Sequence, residues 1–198
     1  MKITLAGTPG SGKSTIRKLI AEHYQMEVKA TGDFMREAAK RHGFSDITKF
    51  LVEYVSTHPE VDREVDAEQK RFGENHDHFV LDAHLGFHFV PDSFKICLTC
   101  SFEEAGRRIF EAKRQTEDAT TVEEAVITSR KRRETMRRNF LELYQVDIDD
   151  FEQFDLVLDT TEMSPEEVFA KLTKAIDSTE TVSNAFSDSI FQLEKSEV

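Results

Sequence analysis

Short apolar runs alternate along the chain with stretches in which apolar residues recur every three or four positions, the pattern of strands and amphipathic helices in turn. The run 2–6, KITLA, stops at Gly7, and 13–24 carries apolar residues at 16, 19 and 20 on one helical face. This predicts a strand, a glycine-rich turn and a helix. A second strand is predicted at 27–30, closed by Gly32, followed by helices over 33–41 and 47–55. Pro59, at the first position of a helix, restarts the chain and predicts a helix to about Phe72. Further strands are expected at 78–81, ending on Asp82, at 94–98 and at 156–158, with a loop around Gly86 and Pro91. Ser101 with Glu104, Thr121 with Glu124 and Ser164 with Glu167 have the capping-box spacing, so helices are predicted over 102–114, 122–145 and 165–176. Strands alternating with helices imply an α/β fold of three layers, a mainly parallel sheet covered on both faces.

From Asp177 onward the chain is rich in Ser, Thr and Glu, with Phe186, Ile190, Phe191 and Leu193 as isolated apolar residues. Residues 177–198 read as a loosely attached acidic tail, with a short docking helix over 184–194 as the competing expectation, and 1–176 as one domain. A chain of 198 residues with this apolar content can bury roughly 70% of its unfolded surface, so it needs neither disulfides nor a structural metal. No stretch approaches the ~18 apolar residues of a membrane span, and KITLAG lacks the features of a signal peptide. The expectation is a soluble cytoplasmic protein with no membrane partner. Cys97 and Cys100 read as buried free thiols.

Formal charge is −12, which speaks against a nucleic-acid partner. The charge is uneven: residues 107–138 hold ten Lys or Arg and six Asp or Glu. A basic island in an acidic chain points to a discrete anionic ligand.

Gly7-Thr8-Pro9-Gly10-Ser11-Gly12-Lys13-Ser14 fits G-x-x-x-x-G-K-[ST] at every fixed position, between a strand and a helix, and Thr15 extends it. Such a loop turns backbone N–H groups inward at phosphate oxygens, and the helix behind it adds the positive end of its dipole. Lys13 would then contact the β- and γ-phosphates of a nucleoside triphosphate, and the Ser14 hydroxyl would hold Mg²⁺. Asp82, closing a buried strand beside the loop, is the candidate acid that steadies this metal through water. Arg107, Arg108, Lys113 and Arg114 near one helix end, with Arg130, Lys131, Arg132, Arg133, Arg137 and Arg138 on the next helix, read as a cationic lid over about 107–138. Arg108, Arg114, Arg130 and Arg132 join Lys13 as candidate catalytic residues. Arg36, close behind Asp33, is a candidate for a monophosphate; Asp62, Arg63 and Asp66 lie on one side of the next helix, where carboxylates accept from amino or hydroxyl groups.

The phosphate loop, Gly32-Asp33-x-x-Arg36, the run His58 to Asp66, the helix from Arg130 to Tyr144, Tyr144 to Asp150, and Asp155 to Thr161 with Ser164 to Val168 together resemble the archaeal-type cytidylate kinases over about 1–176. The resemblance implies a five-stranded parallel sheet and a nucleoside monophosphate kinase that uses Mg·ATP on CMP or dCMP. It implies that 7–15 bind ATP, Arg36 the acceptor phosphate, and Asp62, Arg63 and Asp66 the nucleoside. One departure stands out. After the strand-ending acid the family usually has Gly-Arg, whose arginine grips the acceptor phosphate; here Asp82-Ala83-His84 follows. The stretch Asp82 to Pro91 instead looks like the Asp-x-His segment of small archaeal and nuclear adenylate kinases. Either His84 replaces the arginine as a weaker, pH-dependent phosphate donor, or the acceptor differs, AMP being the alternative. From another class, an ATP-dependent binding or assembly factor docking a protein partner through the tail is the competing reading.

Overall fold

The computed structural model describes residues 1–112 and 120–179. Five strands, β1 (Lys2–Gly7), β2 (Glu27–Ala30), β3 (Phe79–Asp82), β4 (Phe94–Thr99) and β5 (Leu156–Asp159), form one sheet in the order β2-β3-β1-β4-β5, every pair parallel. The helices are α1 (Lys13–Tyr24), α2 (Thr31–Arg41), α3 (Ile47–Lys49), α4 (Glu60–Asn75), α5 (Gly86–Phe89), α6 (Phe102–Glu111), α7 (Val122–Tyr144) and α8 (165–179). The three-layer, five-stranded parallel fold expected from the sequence is what forms.

Side chains alternate across the strands and sort the helices into two layers. Ile3, Leu5, Val80, Ile96 and Leu98 pack with Ile16 and Ile20 of α1 and with Val168, Leu172 and Ile176 of α8. On the opposite face Phe79 and Leu81 meet Phe34 and Ala38 of α2 and Val61, Val65 and Phe72 of α4. Ala6 meets Leu85, Phe87, Val146 and Ile148 there. Gly106 lets α6 lie against α7, because a Cβ would come within 2.3 Å of the Val126 side chain and 2.8 Å of its backbone nitrogen.

Several boundaries differ from expectation. Residues 47–55 are not one helix: α3 passes into a π turn at Phe50–Tyr54 and a 3-10 turn at Val55–Thr57. In that geometry Phe50 and Tyr54 stack at 5.6 Å while Phe44 and His42 pack beside them. Pro59 lies one residue outside α4, which runs on to Asn75 because Gly73 sits closely against Val90 instead of breaking it. The expected loop at Gly86 holds the short α5, and α8 extends to 179. Cys100 falls just past β4, buried like Cys97, and both are free thiols. Of the three capping boxes only Ser164–Glu167 closes in both directions. At Ser101 the Glu104 carboxylate turns to Arg107 and Arg108, and at Thr121 the Glu124 carboxylate takes the Thr120 N–H. Among the described residues no helix is long and apolar enough to cross a membrane.

Candidate active site

The connections leaving β1 and β4 run to opposite sides of the sheet, and the crevice between two such strands is where parallel α/β sheets bind ligands. The phosphate loop lies at its mouth. Gly7 adopts φ +141°, and a Cβ there would stand 1.9 Å from the Leu98 carbonyl oxygen, so only glycine lets the loop leave β1 against β4. Thr8 N–H then donates to that same Leu98 carbonyl at 3.0 Å. The Ser11 carbonyl accepts from Thr160 Oγ1 at 3.1 Å, which ties the loop to the turn after β5. Lys13 curls over the loop, donating to the carbonyls of Thr8 at 2.8 Å and Gly7 at 3.1 Å. Burial pushes its ammonium down to about 8, with Arg133 and Arg132 acting in the same sense and Asp82 against them.

Two cavities share Gly10 and Gly12 of this loop, a cleft along α7 reaches Thr8, and a further cavity lies apart from the loop. A polar one of about 160 Å³ is lined by Lys13, Ser14, Asp82, His84 and Arg132 with Pro9, Gly10 and Gly12. It brings together the expected phosphate, metal and lid residues. Ser14 and Asp82 present hard oxygen donors to one space, a set that fits Mg²⁺ retaining its own waters. Among the described residues no group of three or more His, Cys, Asp or Glu is placed to hold a metal by itself. His84 is held well below its ordinary value, first by burial and then by Lys13, Arg132 and Arg133. Burial and these cations disfavour the imidazolium, and a neutral ring keeps one N–H able to donate to a phosphate.

The second cavity, about 290 Å³, lies on the β5 side and is walled by Gly10, Ser11, Gly12, Thr15, Ile16, Ile109, Met163, Pro165, Val168, Thr160 and Arg108. Arg108 was expected in the lid. Instead its guanidinium is pinned to the Thr160 carbonyl at 2.7 Å, the Thr161 carbonyl at 3.1 Å and Glu104 Oε1 at 2.7 Å, which makes it part of this wall. The cavity apart from the loop, about 260 Å³, lies between α4 and α7, lined by Arg63, Asp66, Lys70, Phe89 and Tyr144 among others.

Asp66 accepts from the Tyr144 hydroxyl and from Gln69 Nε2 at 3.0 Å. Burial raises its carboxyl, those two hydrogen bonds opposing, and burial likewise raises Asp62 one turn earlier. Arg36 pairs with Asp33 at 2.5 Å, and Asp33 in turn accepts from the Ala30 N–H at 2.8 Å, fixing the start of α2. No ion pair among the described residues joins Arg36 to Asp62, Arg63 or Asp66.

Arg130 lines a different cavity, one that reaches Thr8 of the phosphate loop. It lies over the Phe102 ring at 5.0 Å and within 3.5 Å of Glu103, in a cleft of about 830 Å³ along α7 that Arg133, Arg137 and Arg138 also line. Arg133, almost fully buried, donates to Asp149 Oδ1 at 2.7 Å and to the Ile148 carbonyl at 3.1 Å, anchoring α7 to the segment before β5. Of the four candidate lid arginines, Arg132 alone lines the phosphate cavity; Arg114 lies outside the described residues. Burial raises Cys97 to about 11, so its thiol stays protonated. Sequence reasoning missed Gln69, Tyr144 and the wall formed by Ile109 and Met163, because their roles come from partners far away in the chain.

A family described as "AAA domain" matches residues 3–137, spanning the phosphate loop through most of α7. The cytidylate kinase of Pyrococcus horikoshii is 36% identical over 184 residues, 92% of each chain. That of Thermoplasma volcanium is 34% identical over 177 residues, covering 89% of this chain and 92% of its own. A crystal structure of a protein from Eubacterium ventriosum superposes with a TM-score of 0.70 at 14% identity, over 90% of this chain and 98% of that one, a likeness of fold alone.

Proposed function

Since the chain belongs to the AAA-domain family and to the group of P-loop kinases that includes the archaeal cytidylate kinases, we propose that it transfers the γ-phosphoryl group of ATP to CMP or dCMP. The observation that carries this reading is the arrangement of the cavities. A slot with Ile16, Ile109, Met163 and Val168 in its wall, suited to a donor base, adjoins the cationic phosphate cavity, and a separate cleft holding Asp66 and Arg63, suited to an acceptor, lies between α4 and α7. Bound between them, donor and acceptor would meet with their phosphates over Lys13 and Arg132.

The chemistry needs little covalent help. An acceptor phosphate oxygen attacks the γ-phosphorus in line, the bond to the β-bridging oxygen breaks, and ADP leaves with that electron pair. The attacking oxygen is already ionised near neutral pH, so no general base is required. What the chain supplies is position and positive charge. In this reading the amides of 7–15 and Lys13 grip the donor, Arg132 stands over the transferring group, and Arg36 takes the acceptor phosphate. Asp62, Arg63 and Asp66 face the nucleoside. Mg²⁺, held by Ser14 and through water by Asp82, would neutralise charge on the donor phosphates. Asp82-Ala83-His84, which lacks the family's usual arginine, favours AMP as the second reading of the acceptor.

Coupled measurement of ADP release with CMP, dCMP, UMP, AMP and GMP in parallel tests both. We expect CMP or dCMP to stimulate release at least about tenfold over basal hydrolysis, the lower end of what a bound, oriented acceptor contributes. A maximum with AMP selects the second reading. No stimulation by any monophosphate refutes the kinase reading.

A further inference from the structure

Arg17 stands one turn below the phosphate loop on α1, three residues from Ser14 and four from Lys13, and so shares their face of the helix. Its Nη1 donates to Asp82 Oδ2 at 3.2 Å, and 22% of its side chain remains open. Its Nε is buried and has no hydrogen-bond partner among the described residues. Arg17 also acts on a second carboxylate: with Arg36 it helps hold Asp33 below its ordinary value. The guanidinium is thus bonded to the acid that lines the phosphate cavity, on the face of α1 that carries Lys13 and Ser14.

A guanidinium carries five N–H donors in a fork that matches oxyanions, and leaving such donors buried without acceptors is costly. Arg17 makes a single hydrogen bond among the described residues, and that bond goes to a group on the wall of the phosphate cavity. The segment after β3, Ala83-His84, offers no arginine. A dianionic phosphate seated between Asp82 and Arg36 would supply the missing acceptor oxygens.

We propose that Arg17 binds the phosphate of the acceptor nucleotide, Asp82 orienting its guanidinium, so that a cation from α1 serves where the segment after β3 provides none. This rests on the monophosphate-kinase reading above. It assigns to Arg17 a substrate contact, whereas a structural role would confine it to holding Asp82.

The test uses Arg17→Gln and Arg17→Lys in the full chain, with the monophosphate that the unaltered protein phosphorylates best. Arg17→Gln should raise the acceptor's KM about tenfold or more, the loss of a hydrogen bond between charged groups, with KM for Mg·ATP changed by less than about twofold. Arg17→Lys should keep the charge but not the fork and fall between the two. In calorimetry the variants should lose affinity for the monophosphate and keep it for the corresponding nucleoside. A rise in KM for ATP, a fall in kcat alone, or equal weakening of nucleoside and monophosphate would overturn the assignment. Should Arg17→Gln fail to fold, Arg17→Lys decides, an unchanged acceptor KM being the refuting result. Failure of the parent reading shows separately, as an unaltered protein that no monophosphate stimulates.

Discussion

Burying an ammonium group above a ring of carbonyls has a consequence in pH. Lys13 titrates at about 8 because burial disfavours its charged form, with Arg133 and Arg132 adding to the effect. A polyphosphate in the loop supplies the negative charge that stabilises the ammonium, so binding raises the pKa of Lys13. Below about pH 7 the lysine is protonated with or without ligand and binding takes up no proton there. Above about 8 the free protein must gain one on binding, and affinity for the triphosphate should fall by up to about tenfold per pH unit. Calorimetry at pH 8.5 in two buffers of different ionisation heat should show uptake of up to about three-quarters of a proton, absent in Lys13→Ala; equal heats in the two buffers would contradict it. His84 shows the limit of reading single residues. Its place after Asp82 was visible in the sequence. Its burial, and then the cations of α1 and α7 that disfavour its charged form, come from distant parts of the chain, and no local pattern announces them.

Elements were legible where the signal is local. The turn from β1 into α1 follows from glycine and lysine spacing, and β3, β4 and β5 follow from short apolar runs ending near polar residues. The π turn at Phe50–Tyr54 was not legible, because its Phe50 and Tyr54 pack with His42 and Phe44 from the segment after α2, contacts that no helical periodicity announces. Nor were the contacts that build the site between elements. Arg108 to Thr160, Tyr144 to Asp66 and Arg17 to Asp82 each join residues more than fifty positions apart. The Tyr144 contact yields a prediction at this scale. It fastens the C-terminal end of α7 to α4, and through Gln69, which Thr31 Oγ1 approaches at 3.4 Å, to the head of α2. Tyr144→Phe keeps the ring but removes the donor, leaving a half-buried carboxylate with one partner fewer, at a cost of about 1–2 kcal/mol. Urea denaturation should show that loss in the midpoint with the slope unchanged, and the acceptor's KM should rise more than that of ATP. A variant as stable as the parent would mean that the hydroxyl carries no such link.

At the scale of the whole molecule, the question is how much of the chain the three-layer core requires. The sheet is complete at Asp159, yet its α1 face is not covered until α8 lays Val168, Leu172 and Ile176 over Ile3, Leu5 and Leu98. Side chains of this kind, fully buried, contribute about 2–5 kcal/mol each, against a net stability of about 5–15 kcal/mol for an entire domain. Removing α8 therefore removes an amount comparable to the whole margin. Its last turn is also held, by the Tyr24 hydroxyl donating to Asp177 Oδ1 at 2.7 Å. The buried residues of β1, β3 and β4 are covered by elements within residues 1–179, so we expect a chain ending at Thr179 to melt within about 2 °C of the full-length protein and to keep its ATP affinity. A chain ending at Asp159 should not show a cooperative transition. A drop of more than about 5 °C on removing 180–198 alone would place part of the core in that segment and refute the expectation that the domain closes near residue 176.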